Sequence, residues 1–213
     1  MSKIFFPAQQ RYLSSFRNEE DELIKEMEAY AKEHNIPILS WQSAEFMEQL
    51  ILLLNPKRVL EIGTAIAYTS IRIARNLKKK SVVHTIEISQ ENIASAKTFI
   101  EKSGAADRIK LLEGDALVLM PRLTKKYELI FLDSDKEDYK RLFDYAMILL
   151  KRGGVIVVDN LLWGGYAASN RVPSKYKAST EHIREFNKTF IKQPNLKASI
   201  LPIGDGLGLG IKK

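Results

Sequence analysis

Two groups of polar residues each follow a short apolar segment, and together they could bind a cation. The segment Asp133-Ser134-Asp135-Lys136 follows the apolar run 129–132, and Asp159-Asn160 follows the run 155–158. Short runs rich in Val, Ile and Leu are typical of buried parallel strands. Both groups would then lie at the C-terminal edge of one sheet, where open α/β sheets bind ligands. Their oxygen ligands suit a hard cation such as Mg²⁺.

Lys136 could act as a base beside this cation, because it lies three residues after Asp133. The candidate catalytic residues are therefore Lys136 and Asp133. A simpler alternative is that Asp and Asn at strand ends only cap turns and helices. The repetition of the pattern after two strands favours a site over capping.

The bulk composition predicts one α/β domain with a sizeable core, because the chain has 213 residues and 45% hydrophobic content. We expect a single domain over 1–213, in which helices in 1–55 cover the active site or form a dimer contact and 56–213 form the core. The sequence has no cysteine. Disulfides, thiolate zinc sites and a cysteine nucleophile are therefore excluded.

The N-terminal segment has no long apolar stretch, and no apolar run has the ~20 residues of a membrane helix. We therefore expect a cytoplasmic protein with no membrane partner. The net charge of +7 favours an anionic partner. Solvated loop lysines are the alternative explanation of the basic clusters, which are Lys78-Lys79-Lys80, Lys125-Lys126, Arg171 to Lys177, and Lys212-Lys213.

Apolar spacing predicts two N-terminal helices, from about Glu19 to His34 and from about Ser43 to Leu54, followed by alternating strands and helices. Such alternation predicts a doubly wound, mostly parallel α/β sheet. The segments 197–201 and 207–212 flank a turn-rich link and predict an antiparallel C-terminal hairpin. The seven predicted strands are 58–62, 82–86, 109–112, 128–132, 155–158, 197–201 and 207–212. The predicted helices between them are 69–77, 90–102, 116–123, 136–150 (stopping at Gly153-Gly154) and 175–191.

The first strand runs into a turn, Glu61 to Thr69, that has the form of a ligand cradle. Gly63 would let the backbone approach a ligand closely. A dinucleotide fingerprint needs several glycines, and this turn has one, so NAD and FAD are disfavoured. Glu61 suits a ligand with a cationic group better than a pyrophosphate.

Two further acids follow the next two strands. Glu87 could accept hydrogen bonds from ribose hydroxyls, and Asp115, in Gly114-Asp115-Ala116, could reach an adenine amino group. Together with the turn, they favour S-adenosylmethionine, whose carboxylate could use the helix N-terminus. Helix capping is the alternative role of Glu87 and Asp115.

These motifs resemble those of the metal-dependent O-methyltransferases related to catechol and caffeoyl-CoA O-methyltransferases. The similarity extends from about Ile38 to Lys212. The shared segments are Val59 to Thr64, Tyr68-Thr69, Glu87, Gly114 to Ala116, Phe131 to Lys136, Asp159 to Gly164 and Gly204 to Leu207. One departure is Ala67, where the family usually has a second glycine.

The resemblance implies a Rossmann-like methyltransferase fold and roles for individual residues. It implies that Asp133, Asp159 and Asn160 bind the metal and that Lys136 lies near the accepting hydroxyl. The predicted cofactor-binding residues are Leu39, Glu61, Gly63, Tyr68, Thr69, Glu87, Asp115, Ala116 and Asp133.

Less specific motifs, in 27–31, 36–38 and 60–68, resemble those of bacterial members of this family that methylate 5-hydroxyuridine at the tRNA wobble position. A tRNA anticodon loop is therefore the expected partner, and small catechol-like phenols are the alternative acceptors. Basic and aromatic residues of Gly165 to Lys177 could grip an RNA loop. The N-terminal segment adds Phe5, Phe6, Arg11, Tyr12 and Arg17. Lid packing or a dimer interface is the other explanation for both segments, and family analogy favours a homodimer.

Overall fold

The computed structural model describes residues 6–213. Three helices precede the sheet: α1 (Pro7–Ser14), α2 (Glu22–Glu33) and α3 (Trp41–Leu54). The strands are β1 (Arg58–Ile62), β2 (Val82–Glu87), β3 (Ile109–Glu113), β4 (Tyr127–Leu132), β5 (Leu150–Val158), β6 (Leu196–Leu201) and β7 (Leu207–Lys212). The helices between them are α4 (Tyr68–Asn76), α5 (Gln90–Lys102), α6 (Ala116–Leu119), α7 (Tyr139–Leu149) and α8 (Lys177–Lys192).

The strands form one seven-stranded sheet in the order β3-β2-β1-β4-β5-β7-β6. Strands β1 to β5 pair in parallel, and β7 pairs antiparallel with both β5 and β6. The predicted doubly wound sheet with an antiparallel C-terminal hairpin is confirmed. The parallel register brings the ends of β4 and β5 side by side, since Leu132 pairs with Val158. The two polar groups that follow these strands are therefore neighbours.

Two apolar layers cover the sheet, because successive side chains of a strand point to opposite faces. In β4, Leu129 and Phe131 pack into one layer, with apolar residues of α2, α3, α4 and α5. Ile130 and Leu132 pack into the other layer, with α7 and α8. Central strands buried on both faces read as continuous apolar runs, which is why the sequence located β4 and the end of β5.

The N-terminal region differs from the prediction. Helix α1 was not expected, and it buries none of its residues, so it has no apolar periodicity that a sequence pattern could reveal. Helix α2 begins at Glu22 rather than Glu19, because the Asp21 side chain accepts hydrogen bonds from the backbone N–H of Leu23 and Ile24. Phe5 lies outside the described residues.

The prediction that a helix stops at Gly153-Gly154 was wrong. Helix α7 already ends at Leu149, and the two glycines lie inside β5. Pairing between β4 and β5 shifts register there, from Tyr127 with Leu150 to Leu129 with Val155. The glycines therefore belong to an irregular stretch of strand, a use of glycine that composition alone does not separate from a helix end. The start of the same helix was also placed too early, because 136–138 form a turn.

Candidate active site

A cavity of about 940 Å³ opens at the C-terminal edge of β1 to β5. Eight of the predicted site residues line it: Gly63, Glu87, Asp115, Ala116, Asp133, Lys136, Asp159 and Asn160. They come from the ends of all five parallel strands, as expected for a ligand site in a doubly wound sheet. The cavity has one end at the turn after β1 and another at the polar residues after β4 and β5.

The Lys136 ammonium is the centre of the polar end. It donates to Asn160 Oδ1 at 2.7 Å, to the Ser134 carbonyl at 2.9 Å and to Tyr139 Oη at 2.8 Å. Asp133 Oδ1 lies farther away, at 3.5 Å. The cation also lies over the rings of Tyr139 and Trp163. These contacts hold Lys136 within reach of every predicted metal ligand except Asp159.

Asp159 is 5% exposed, and its Oδ1 has no hydrogen-bond partner among the described residues. Its Oδ2 accepts a 3.3 Å bond from Asn160 Nδ2. Burial, and then repulsion by Asp133, raises the pKa of Asp159 to about 8. A buried carboxylate oxygen without a donor is costly. A divalent cation would satisfy it, and the set of two carboxylates and one amide oxygen fits a hard cation such as Mg²⁺.

Asp205, which lies in the turn between β6 and β7, joins this polar end, although sequence reasoning had assigned it no role. Its Oδ1 accepts a 2.6 Å bond from the Gly164 N–H, and its side chain also bonds that of Asn160. Its backbone carbonyl accepts from Leu162 N at 2.9 Å. Burial raises the pKa of Asp205 above its ordinary value. The signal for it was the Gly204-Asp205-Gly206 motif, which only the resemblance had singled out.

The turn after β1 forms the other end of the cavity. Gly63 has φ +97°, and its N–H donates to the Ile86 carbonyl at 3.1 Å. A Cβ on Gly63 would lie 1.7 Å from the Asp133 carbonyl oxygen. Glycine is therefore required here, both for the positive φ and for the contact with the end of β4. Ala65 and Ala67 also have positive φ, 46° and 69°, so the turn is strained at two further positions.

Glu87 and Asp115 line the middle of the cavity and also make backbone contacts. Glu87 Oε2 accepts from Ala65 N at 2.8 Å, and its Oε1 accepts from Ile88 N and Ser89 N at 2.9 Å. Asp115 Oδ1 accepts from Leu117 N at 2.7 Å and caps α6. Glu87 and Asp115 therefore bond to backbone N–H groups, as the capping alternative predicts. Both residues also line the cavity.

Four predicted cofactor residues do not line the cavity: Leu39, Glu61, Tyr68 and Thr69. Glu61 is buried, and its Oε2 accepts bonds from Ser70 and from Thr85, the latter at 2.6 Å. Tyr68 is buried and donates to Glu28 Oε1 at 2.7 Å. Their roles in cofactor binding remain predictions. Pro37 and Ile38, just before Leu39, are the residues of that segment that reach the cavity.

Helix α8 supplies cavity residues that sequence reasoning missed, Ala178, Ser179 and His182. Ser179 and His182 are three residues apart and therefore share a helix face, which is the signal that could have found them. Trp163 completes this wall and meets Tyr176 edge to face, with ring centroids 6.3 Å apart. These residues line the same cavity as Asn160.

Comparison with known proteins agrees with this geometry. The sequence matches the O-methyltransferase family over residues 14–213. Caffeoyl-CoA O-methyltransferase 2 of Petunia hybrida is 33% identical over 201 residues, which cover 89% of this chain and 83% of the relative. The chain belongs to the O-methyltransferase family.

Two solved structures with bound cofactor share the fold. The O-methyltransferase TomG of Streptomyces achromogenes, involved in tomaymycin synthesis and solved with S-adenosylmethionine, has a TM-score of 0.84 and 27% identity, with 97% of this chain and 96% of that chain covered. An O-methyltransferase of Bacillus cereus, solved with S-adenosylhomocysteine, has a TM-score of 0.85 and 26% identity, with 97% of each chain covered. This chain is therefore an S-adenosylmethionine-dependent O-methyltransferase.

Among residues 6–213, no helix is long and apolar enough to cross a membrane.

Proposed function

We propose that this protein uses a divalent cation, Mg²⁺ or a similar ion, to methylate a hydroxyl that lies next to a second oxygen on the acceptor. The observation that carries the proposal is the unpaired Asp159 carboxylate oxygen, buried beside Asp133 and Asn160 in the same cavity as the turn after β1. Methyl transfer from a sulfonium is an in-line displacement, so orientation of the two reactants supplies much of the rate.

Three side chains would hold the cation: Asp133, Asp159 and Asn160. When bound, it would lower the pKa of the acceptor hydroxyl and orient the adjacent oxygen. Lys136 stands beside these ligands and can accept the hydroxyl proton or stabilise the resulting oxyanion. At the cofactor end, Glu87 would receive the ribose hydroxyls.

We propose the 5-hydroxyuridine of a tRNA wobble position as the acceptor, with 5-methoxyuridine as the product. Its 5-hydroxyl and 4-carbonyl provide the adjacent pair of oxygens. Arg171 and Lys175 are exposed in the loop after β5, and this loop meets the cavity wall where Tyr176 contacts Trp163. The charges of Arg171 and Lys175 would contact phosphates of the anticodon loop.

Small catechol-like phenols are the second candidate acceptors, and two observations favour them. The curated relatives above carry the name caffeoyl-CoA O-methyltransferase. In addition, Tyr166 and Tyr176 stack on each other with centroids 5.3 Å apart, so these aromatic rings pack the loop instead of standing free to receive a base. This second observation agrees with the lid-packing explanation of the loop.

We further propose a cytoplasmic homodimer in which the N-terminal region covers the site or contacts the second copy. Exposed aromatic residues of this region, Phe6, Tyr12 and Phe16, support a contact there. Sedimentation of the purified protein tests this proposal, since a monomer at all concentrations would contradict it.

The decisive experiment supplies labelled S-adenosylmethionine and Mg²⁺ with two acceptors in parallel, tRNA carrying 5-hydroxyuridine and a simple catechol. Each reaction is repeated with EDTA. EDTA-sensitive labelling of tRNA far above catechol supports both parts of the proposal. Labelling that persists in EDTA contradicts the proposed requirement for a divalent cation. Labelling of catechol alone would make small phenols the assigned acceptors.

A variant separates the acceptors further. Arg171→Glu with Lys175→Glu should weaken tRNA methylation through KM and flatten its salt dependence, because two phosphate contacts are lost. Methylation of catechol by the same variant should be unchanged. Unaltered tRNA kinetics would contradict the proposed role of this loop in binding tRNA.

A further inference from the structure

The edge of the sheet opposite the cavity carries a row of basic residues. Three of the four basic clusters seen in the sequence converge there, although they are far apart in the chain. From β3 across to β7 the row consists of Arg108, then Lys78 to Lys80, Lys57 and Arg58, Lys125 and Lys126, Lys151 and Arg152, and Lys212 and Lys213. Each member lies just before or at the start of a parallel strand, or at the end of antiparallel β7. We call these residues the basic row.

Hydrogen bonds from members of the basic row connect the starts of neighbouring strands. Arg108 Nη1 donates to the Leu77 carbonyl at 3.3 Å, next to Lys78. The Lys57 carbonyl accepts from Val82 N at 3.0 Å, at the start of β2. Arg58 Nε donates to the Lys126 carbonyl at 2.8 Å. The row is therefore continuous across strands that are remote in sequence.

Much of this charge is not neutralised by carboxylates. Lys126 Nζ donates to the Ile148 carbonyl at 2.8 Å, and Lys212 Nζ donates to the Leu150 carbonyl at 2.8 Å. Lys213 Nζ also donates to a carbonyl, that of Pro194. Backbone carbonyls carry no net charge, so the positive charge remains available. Glu128 pairs with Lys151, and Asp107 lies beside Arg108.

Most members of the basic row are exposed to solvent. The exposed cations are Lys57, Lys78, Lys79, Lys80, Lys125, Lys126, Arg152 and Lys213. Burial, and then repulsion by Lys126, lowers the pKa of Lys212 below its ordinary value.

We propose that the basic row is a second binding surface, which binds the sugar-phosphate backbone of RNA without reading its sequence. Strands in a sheet are about 4.8 Å apart, so the row across six strand ends is roughly 24 Å long. That length accommodates several consecutive phosphates. The strands separate the row from the cavity by about 17–20 Å, so it binds RNA independently of the acceptor that the cavity takes. The inference does not rest on the proposed methyl acceptor.

The linear arrangement favours RNA over an anionic membrane. Exposed apolar residues lie at two parts of the row: Leu52 and Leu53 at the end of α3, and Ile148 and Ile211 beside Lys126 and Lys212. A membrane surface would need apolar residues distributed among the cations over the whole face. A line of lysines and arginines along one edge instead matches the one-dimensional charge of a nucleic acid strand.

The test is fluorescence anisotropy with a short labelled single-stranded RNA that contains no 5-hydroxyuridine, titrated at several KCl concentrations. The variant is Lys79→Glu with Lys125→Glu, two exposed lysines that form no ion pair with any of residues 6–213. The control is Lys32→Glu with Lys188→Glu, exposed lysines of α2 and α8 that change the net charge equally. We expect the row variant to bind RNA at least about tenfold more weakly. Its slope of log K against log salt should fall by about 1.4, because two phosphate contacts disappear.

Equal losses in the row variant and the control would overturn the proposal, because binding would then follow net charge alone. Binding to phosphatidylserine vesicles without binding to RNA would also overturn it. Because the RNA contains no acceptor base, a failure here is distinct from a failure of tRNA methylation. Circular dichroism of both variants establishes that each is folded.

Discussion

Lys136 and Asn160 are joined by a 2.7 Å hydrogen bond from the ammonium to the amide oxygen. The ammonium has three protons and four oxygen neighbours, and Asp133 is the most distant of them at 3.5 Å. Two of the three proposed metal ligands are therefore in contact with a cation that belongs to the chain itself. A divalent cation must compete with Lys136 for the amide oxygen of Asn160.

Replacing Lys136 should separate catalysis from metal binding. In Lys136→Met, we expect kcat to fall by about 10²- to 10⁴-fold, the usual contribution of a general base. Mg²⁺ should bind at least as tightly as in the wild type, because the competing cation has gone. Isothermal calorimetry and kinetics measure the two effects, and Lys140→Met, an exposed lysine one turn later, is the control. Weaker Mg²⁺ binding would instead mean that Lys136 holds the ligands in place.

Asp159→Ala should abolish methylation and leave cofactor binding largely intact. The variant loses a proposed metal ligand, while Glu87 and the turn after β1 stay in place. Removal of a buried carboxylate with an unpaired oxygen should not lower the melting temperature. Equilibrium binding of S-adenosylhomocysteine and a thermal melt are the measurements. If binding and stability were both lost, Asp159 would be a structural residue. Asp144→Ala, an exposed aspartate of α7, serves as the control.

Asp205→Ala should weaken Mg²⁺ binding by about 10- to 100-fold, the range typical of residues that orient metal ligands. Asp205 bonds the Asn160 side chain and the Gly164 N–H and so fixes the loop that carries the ligand. Asp205→Asn keeps an acceptor for Gly164 and should lose less affinity. Metal titration in the absence of the methyl acceptor measures this directly. Unchanged affinity in Asp205→Ala would confine its role to packing of the turn.

Glu61→Gln should change how stability depends on pH. Burial raises the pKa of Glu61 to about 8, from an ordinary value of 4.5. Between these values the folded protein keeps a proton that the unfolded chain has released. The free energy of unfolding therefore falls as pH rises through this window, by about 1.4 kcal/mol per pH unit. Glu61→Gln lacks this contribution, so its stability relative to the wild type should increase with pH.

Urea unfolding of cofactor-free protein across that window provides the comparison for Glu61. Glu101→Gln, at an exposed glutamate near the end of α5, should leave the pH dependence as it is in the wild type. Parallel curves for Glu61→Gln and the wild type would show that Glu61 ionises equally in the folded and unfolded states.

Gly63→Ala should be severely destabilising. The added methyl would meet the Asp133 carbonyl oxygen at 1.7 Å, on a backbone with φ +97°. Either the turn or the end of β4 must move, which costs several kcal/mol, on the order of 4. Gly104→Ala is the matched control, because Gly104 also has positive φ but has no atom within 4 Å of the added Cβ. Its cost should be about 1–2 kcal/mol, from backbone strain alone. Equal losses of stability would refute the steric argument.

The sequence located the polar end of the cavity because its signals are local. Continuous apolar runs specify β4 and the end of β5, and parallel pairing then brings Asp133 and Asp159 to one edge. Asp205 could not be found in this way, since its contact with Gly164 spans 41 residues and depends on how a hairpin turn packs. Glu61 shows what a local motif cannot predict about the surroundings of a side chain. The Glu-x-Gly pattern gives no indication that the carboxylate lies beneath the cavity wall, bonded to Ser70 and Thr85.

The position of β7 imposes an order on biosynthesis. Strand β7 lies between β5 and β6, so β5 has an open edge until β7 has been made. The hairpin turn that supplies Asp205 arrives with it. During N-to-C synthesis the first five strands can assemble early, but the loop after Asn160 gains its contact with Asp205 only after the turn before β7 has emerged. A ribosome stalled before β7 would therefore hold five assembled parallel strands and a loop after Asn160 that lacks support. The unpaired edge of β5 would be open to misassembly.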